Sequence, residues 1–527
     1  MGKLLAATVL LALVVCTAWR LASFREDIKR PKTPNPHLAD FTRYRDVDQS
    51  QYTCPTCSWS LYTANSAFTA FDSLALTNDE HIPKDFPPLL CLPDTFGYSE
   101  TAAMQLFPYT GFNACDSFVV DKRPFLHLDM DRNLLWMNCS SQQIDGKEGF
   151  LGKFSLDAGA GREQLGSRPY SQSLQQYRGV VELLNDEEFA FGTCKEGKTE
   201  ELEYAVYRNR RNNTVFRRAK RLKNEDLPPL IVLILTLDSV SRRNFYRKMP
   251  LTADFLRNLS SSFRVFDFKL SNVMGEYSAD NILPMLYGEV PVKMLKSIPD
   301  TDVFYDRSIY KLAKEHGFVT AFLEDNCGDD LARYMGRRID TDHLGSYFWC
   351  GAAQYHHYVN NSPKQRCIGQ VHSHTHAYRY LSDLRSNYPG TNQFAFMHIN
   401  TAHEPTGLLI ETLDSDTRTF LADFLSDARN DYAIVLNGDH GMRYGDWFKK
   451  LDGSKEHRLP LLHWVLSDRL LRRFPFSYDV MTHNSNRLVS KLDLYTTLQH
   501  LIRETQAPID DQTYTGNTQI GPEKTHQ

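Results

Sequence analysis

The sequence is short of net charge, of long apolar runs and of repeats, and each shortage removes a class of protein. Its 527 residues carry 60 Lys and Arg against 64 Asp and Glu, a net charge of −4 with histidine neutral. Without a basic excess there is no electrostatic footprint for a nucleic-acid partner. Mean hydropathy is −0.44 and only one apolar run is long, which excludes a multi-pass membrane protein. No internal repeat or low-complexity tract is present, so solenoids and collagen-like chains drop out. What remains is an ordinary folded composition, 42% apolar, 24% charged and 12% aromatic. At roughly 100–200 residues per domain the length allows about two to four domains.

The one apolar run is a targeting segment. Leu4 to Trp19 is uncharged between Lys3 and Arg20. Its length is just below the roughly 17–25 residues of a membrane span, so a cleaved signal peptide and an uncleaved signal anchor both fit. The basic residues Arg20, Arg25, Lys29 and Arg30 follow the run, whereas only Lys3 precedes it. That balance runs against an anchor with a lumenal body. Cysteine usage weighs the other way. Of ten cysteines, Cys16 lies in the targeting run, and Cys54, Cys57, Cys91, Cys115, Cys139, Cys194, Cys327, Cys350 and Cys367 fit no zinc-finger spacing. A disulfide framework in an oxidising compartment is the better reading. Sequons at Asn138, Asn212, Asn258 and Asn360 agree with it. The body of the protein is therefore expected in the lumen or outside the cell, either anchored as a single-pass type II protein or secreted.

Composition shifts divide the chain. Residues 1–30 are the targeting segment. Residues 31–225 hold cysteines and short aromatic and β-branched runs, as expected of a mostly β accessory domain. The basic stretch from Arg208 to Lys223, closed by Pro228-Pro229, reads as an exposed loop or linker. Residues 226–505 alternate apolar runs with amphipathic stretches. Leu230–Leu237, Phe318–Leu323, Gln393–His398, Asp431–Leu436 and Leu459–Leu466 are the runs, each matching a strand covered on both faces. Arg307 to His316 reads as a helix capped by Gly317. The fold class is α/β, doubly wound, with a polar tail at 506–527. In such a sheet chemistry gathers at the carboxyl ends of the strands.

Those ends carry the expected groups. Asp238 ends the first run, His403-Glu404 follows the third, and Asn437-Gly-Asp439-His440-Gly441 follows the fourth. Carboxylates and an imidazole from separate strand ends are a usual way to hold a divalent ion, although any one alone reads equally as a cap or loop residue. Ser278, in Gly275-Glu-Tyr-Ser-Ala-Asp-Asn281, is a candidate nucleophile that a metal would activate. It also reads as a helix N-cap before Ile282, and a nucleophile placed there would meet backbone N–H groups. Arg242, Arg243 and Arg443 lie within a few residues of these positions and suit an anionic substrate. His372-Ser-His-Thr-His376 has metal-like spacing, but polar exposure explains it equally well, as it does His356-His357.

Five stretches in order carry a resemblance: Leu235 to Phe245, Gly275 to Asn281, Asn437 to Arg443, Glu456-His-Arg-Leu-Pro460, and Leu488 to Leu498. The series is similar to a sulfatase-like domain-of-unknown-function family of nematodes and insects, a branch of the alkaline-phosphatase superfamily. It runs from about Leu230 to Ile502. The resemblance implies that Asp238, Asp439 and His440 are metal ligands together with Ser278, the nucleophile, and that His403 meets the substrate oxyanion or leaving group. Two departures matter. Formylglycine-dependent sulfatases carry an arginine shortly after the nucleophile, and Ser278-Ala-Asp-Asn-Ile282 has none. Two-metal relatives carry an aspartate four residues before the histidine, where this chain has Ile399. One divalent ion is expected, Zn²⁺ or Mn²⁺ before Ca²⁺ or Mg²⁺. The implied function is a metal-dependent hydrolase or transferase acting on phosphate or sulfate esters. Its substrate would be a small anionic ester or a glycan- or lipid-linked one, with the membrane met through the N-terminal segment. The rival reading is an inactive cell-surface binding or structural protein on the same fold.

Overall fold

The computed structural model of the chain describes residues 100–112, short segments between 115 and 196, and residues 200–505 apart from 289–305, most of 328–340, 363–366 and isolated positions. All of these belong to one compact unit, Ser73–Gln527. The run Leu4 to Trp19, the cysteines Cys54, Cys57, Cys91 and Cys139, the sequon at Asn138 and the tail 506–527 lie outside the described residues. No helix among the described residues is long and apolar enough to cross a membrane.

Among the described residues, helix α1 (Glu100–Leu106) comes first. Short strands at Leu126–Asp129, Leu134–Met137, Gly149–Phe154, Gln175–Gln176 and Val180–Glu182 follow, then β1 (Phe189–Glu196) and β2 (Glu200–Tyr207). They make a three-stranded and a four-stranded sheet, so the described residues between 126 and 207 are mostly strand. Helix α2 (Asn213–Leu222) occupies the basic stretch that the sequence presents as a loop or linker. Asn212 caps it, its Oδ1 accepting from the N–H groups of Thr214 and Val215 at 2.9 and 3.2 Å. The charges are not merely solvated. Arg218 donates twice to Asp342, at 2.7 and 2.8 Å, and Arg208 donates to Asp383. Both acceptors are more than 100 residues away in sequence, so no local window could reveal them.

The α/β body runs β3 (Leu230–Leu237), α3 (Arg242–Lys248), α4 (Pro250–Arg257), β4 (Phe263–Asp267), α5 (Ser278–Tyr287), α6 (Ile309–Glu315), β5 (Phe318–Glu324), β6 (His343–Leu344), α7 (Tyr347–Tyr355), β7 (Cys367–Ile368), β8 (Val371–His372), α8 (Ser373–Asn387), β9 (Asn392–Ile399), α9 (Ile410–Phe424), β10 (Asp431–Gly438), α10 (Leu451–Arg458), β11 (Leu462–Ser467) and α11 (Lys491–Glu504). Its seven-stranded sheet has the order β6-β5-β9-β3-β10-β11-β4. The strands from β6 to β10 are parallel to their neighbours, whereas β11 runs antiparallel to both β10 and β4. All residues of β3, β5, β9 and β10 are buried. That is why their sequences are continuous apolar runs rather than alternating ones. Each fully buried Leu, Ile or Phe there stabilises the fold by about 1.5–3 kcal/mol. Helix α6 stops at Gly317, whose φ of 78° needs a residue without a Cβ.

The described strands β1 and β2 pack directly on the α/β body. Tyr207 of β2 stacks on Phe348 of α7, ring centroids 4.6 Å apart, and Phe191 of β1 does so at 5.2 Å. Residues on both sides of position 225 thus share one packed interior. Two disulfides join described residues, Cys115–Cys367 and Cys327–Cys350.

Candidate active site

Register brings the site together. In the central pair, Leu237 of β3 lies opposite Gly438 of β10. The next residues, Asp238 and Asp439-His440, therefore emerge side by side at the carboxyl end of the sheet. Between the acids sits Ser239, in a left-handed conformation with φ of 62°. Such a conformation costs a serine about 1–3 kcal/mol. Two hydrogen bonds offset it: the Ser239 N–H donates to Asp439 Oδ1 at 3.0 Å and its hydroxyl to Asp238 Oδ1 at 2.9 Å. The His440 N–H also donates to Asp439 Oδ1, at 2.7 Å. Asp439 Oδ2 is buried and has no hydrogen-bond partner.

His440 is oriented by its own loop. Its Nδ1 bonds to the Gly441 carbonyl at 2.8 Å, which places the proton on Nδ1 and the lone pair on Nε2. That Nε2 lies 3.4 Å from Ser278 Oγ, 3.5 Å from Asp439 Oδ2 and 4.0 Å from Asp238 Oδ1. The loop has no room to relax. A Cβ on Gly441 would stand 2.4 Å from the Glu456 carbonyl oxygen, and the Gly441 N–H donates to the His457 carbonyl at 2.9 Å.

Ser278 is the first residue of α5, and Tyr277 rather than Ser278 holds the N-cap position. Asn281 folds the preceding loop, its Oδ1 accepting from the Met274 and Gly275 N–H groups and its Nδ2 donating to the Gly275 and Tyr277 carbonyls. The serine hydroxyl is thus presented at a helix start, where the backbone N–H groups favour negative charge.

The remaining expected residues separate into two groups. His403 lies beside Tyr444, whose hydroxyl is 2.9 Å from His403 Nε2, and Arg443 Nη2 donates to that hydroxyl at 2.8 Å. The phenol oxygen accepts from the arginine and keeps both its proton and a second lone pair for His403 Nε2, so it bonds either tautomer of that imidazole. The Arg443 guanidinium also stacks on Tyr277, 4.5 Å from the ring centroid. A continuous wall therefore runs from His403 through Tyr444 and Arg443 to the residue beside Ser278. Arg242 is not part of it. Its guanidinium turns into the protein and forks onto Asp267, which also accepts from Tyr246 at 2.9 Å. The substrate role expected of Arg242 is corrected accordingly, because the acid that pairs with it sits at the end of β4, beyond any local pattern. Arg243 follows it on α3, half-buried.

Burial alone would raise the Asp267 carboxyl, but Arg242 and His463 hold it well below the usual carboxylate range. A group depressed in the folded state stabilises the fold above its unfolded pKa, and that contribution disappears as the pH falls. Asp267→Asn is therefore expected to flatten the loss of stability between about pH 5 and pH 2. Urea unfolding at several pH values checks this, and an unchanged acid slope would contradict it.

Sequence reasoning missed four contributors. His398, the penultimate residue of β9, places Nε2 3.5 Å from Asp238 Oδ2 and 3.9 Å from Asp439 Oδ2, while its Nδ1 faces Glu324 at 3.3 Å. Burial works to lower its pKa, but the bond to Glu324 and the two aspartates push it up to about 9. Register supplies the available signal: Glu324, His398, Thr236 and Asn437 align across β5, β9, β3 and β10 as one polar row. Lys491 extends the row, donating to Asn437 Oδ1 and to the Gly438 carbonyl at 3.2 and 2.6 Å. Ser239 and Tyr444 complete the set.

The donor set fits one divalent cation. One ligand atom each from Asp238, Asp439 and His440 lies within 4.8 Å of the others, two carboxylates and an imidazole being donors that suit Zn²⁺ or Mn²⁺. The buried Asp439 Oδ2 lacks a partner. Burial and then repulsion by Asp439 push the Asp238 carboxyl up, whereas His440 and His398 hold Asp439 down against its burial, the asymmetry expected of two like charges packed together.

The sequence profile of a family described as a protein of unknown function, DUF229, matches residues 159–520. That range begins before β1 and takes in β2 and α2, in line with the packing across position 225. No curated protein matches the chain. Among solved structures, the integral membrane lipooligosaccharide phosphoethanolamine transferase A of Neisseria meningitidis is similar at 10% identity and a TM-score of 0.38, over 53% of this chain and 56% of that one. This chain thus spans little more than half of that transferase. A protein in the alkaline phosphatase superfamily from Vibrio parahaemolyticus is similar at 12% identity and a TM-score of 0.34, over 53% of this chain and 78% of that one. A Streptococcus pyogenes phosphoglycerol transferase gives 12% identity and a TM-score of 0.32, over 55% and 91%.

Proposed function

From the premise that this chain belongs to the DUF229 family, we propose that it is a metal-dependent hydrolase or transferase of phosphate or sulfate esters that uses Ser278 as nucleophile. The observation carrying this reading is the convergence of Asp238, Asp439, His440 and Ser278 on one point at the end of the sheet. A divalent ion held by the two acids and His440 would supply positive charge that neutralises the ester oxygens and lowers the pKa of the serine hydroxyl.

The chain's own residues do the rest. Ser278 Oγ attacks phosphorus or sulfur, its bond to that atom forms as the bond to the leaving oxygen breaks, and water or an alcohol then displaces Oγ. His440, its proton fixed on Nδ1 by the Gly441 carbonyl, keeps Nε2 directed at the reaction point. His403, held by Tyr444, is assigned to the leaving group, and Arg443 to the anionic oxygens. A small anionic ester or the ester end of a glycan- or lipid-linked substrate matches this wall. The two disulfides support a lumenal or extracellular body, reached through the N-terminal segment as anchor or signal.

The test is metal content and turnover of aryl phosphate, phosphodiester and sulfate esters, with Asp439→Asn as control. Turnover that disappears on chelation, returns with Zn²⁺ or Mn²⁺ and is absent in Asp439→Asn is expected. Metal-independent turnover, or none with any ester at full metal loading, would overturn the reading.

A further inference from the structure

The histidine run His372 to His376 takes no part in the catalytic site, yet the fold gathers two of its imidazoles on one carboxylate. His372 ends β8, and His374 lies in the first turn of α8. Both reach the same oxygen of Asp416 on α9, His372 Nδ1 at 3.3 Å and His374 Nε2 at 2.9 Å. Thr375 Oγ1 donates to that oxygen at 3.3 Å. The two rings are stacked, with centroids 5.1 Å apart. His376 turns away and bonds to the Ile368 carbonyl at 2.9 Å.

These separations are close to those of a coordination shell. A tetrahedral ion with bonds of about 2.0–2.2 Å has ligand-to-ligand edges of roughly 3.3–3.6 Å; the His372–Asp416 separation falls in that range, the His374–Asp416 one is a few tenths of an ångström short of it, and all three donors lie within 4.8 Å of one another. His374 is buried, and Asp416, with 35% of its side chain exposed, leaves an open side through which an ion and a completing water can approach. Two imidazoles and one carboxylate select a borderline ion over Ca²⁺ or Mg²⁺.

We propose that His372 Nδ1, His374 Nε2 and an Asp416 oxygen form a second divalent-metal site, structural in role and suited to Zn²⁺. It staples the β7–β8 hairpin and α8 to α9. The hairpin is already pinned from the other side, because Cys367, opposite His372 in the register, is disulfide-bonded to Cys115. Helix α9 in turn gathers other segments, since Glu411 accepts from the Thr110 and Phe112 N–H groups and Asp414 from those of Leu251 and Thr252. The ion would fix the helix that follows the His403 loop.

Zinc titration of chelator-stripped full-length protein, read as bound metal per chain, tests this. Wild type is expected to bind two equivalents, Asp416→Asn and His374→Gln one, Asp439→Asn one, and Asp416→Asn/Asp439→Asn none. Zinc should also raise the melting temperature of Asp439→Asn but not of the double variant. Asp416 is partly exposed, so its variant remains informative where a change at buried His374 prevents folding. Retention of the full zinc complement by Asp416→Asn, or absence of zinc from Asp439→Asn, would overturn the second site. Loss of zinc with Asp416→Asn but none with Asp439→Asn would instead overturn the catalytic metal reading.

Discussion

Ser278→Ala is expected to lower kcat by at least about 10⁴-fold while leaving the metal content of the catalytic site unchanged. The size follows from what is removed, since deleting a nucleophile abolishes the covalent route and leaves only residual stabilisation by the surrounding charges. The retained metal follows from the geometry. Asp238, Asp439 and His440 are held by partners other than the serine, through Ser239, the His440 N–H and the Gly441 carbonyl. Three protein ligands suffice for a catalytic ion. Initial rates with an aryl ester and metal analysis of the same samples decide the matter. A variant within about tenfold of wild type would remove Ser278 from the chemistry, whereas a variant that had lost its metal would make the serine a ligand first. Rapid quenching of wild type with substrate, followed by peptide mass analysis, should place the transferred group on Ser278.

The strands, and the acids and histidine gathered at their ends, were legible in the sequence for physical reasons. Buried parallel strands must be apolar throughout, so β3, β5, β9 and β10 advertise themselves. Ligands at strand ends are neighbours through register, so Asp238 and Asp439-His440 can be placed without knowing any loop. His398 was not legible on the same grounds. It sits inside an apolar run and acquires meaning only when Glu324 and Thr236 come into line with it across β5 and β3. Arg242 failed in the opposite direction, since position close to a ligand suggested a substrate contact that Asp267 forecloses. The basic stretch at 208–223 misled similarly. Its charges are answered by Asp342 and Asp383, and only tertiary structure reveals such partners. Asn212, read only as a sequon, is also the N-cap of α2.

Glu456 joins two of the recognised stretches, and its loss should be felt in both stability and metal affinity. Its carboxylate accepts both terminal nitrogens of Arg247 on α3, at 2.7 and 2.6 Å, and the Ser241 hydroxyl at 3.2 Å. Both charged side chains are almost wholly buried, 1% and 5% exposed. Removing one partner leaves the other charge in a medium that cannot solvate it, which costs about 3–5 kcal/mol. The same residue sets the site. Its carbonyl oxygen lies 2.4 Å from where a Gly441 Cβ would be, and His457 beside it donates from Nδ1 to the Gly441 carbonyl at 2.9 Å. Displacing α10 therefore loosens the oxygen that fixes the His440 tautomer, and loss of such an outer partner lowers metal affinity about 10–100-fold. Glu456→Ala is expected to show both effects. Arg247→Met/Glu456→Leu should recover much of the stability, because no charge is then stranded, without restoring the turn that Ser241 and Arg247 anchor between α3 and α10. Denaturant unfolding with zinc titration of the three variants separates the contributions. A single variant within about 1 kcal/mol of wild type would mean that the pair is hydrated in solution and does not brace the metal-binding loop.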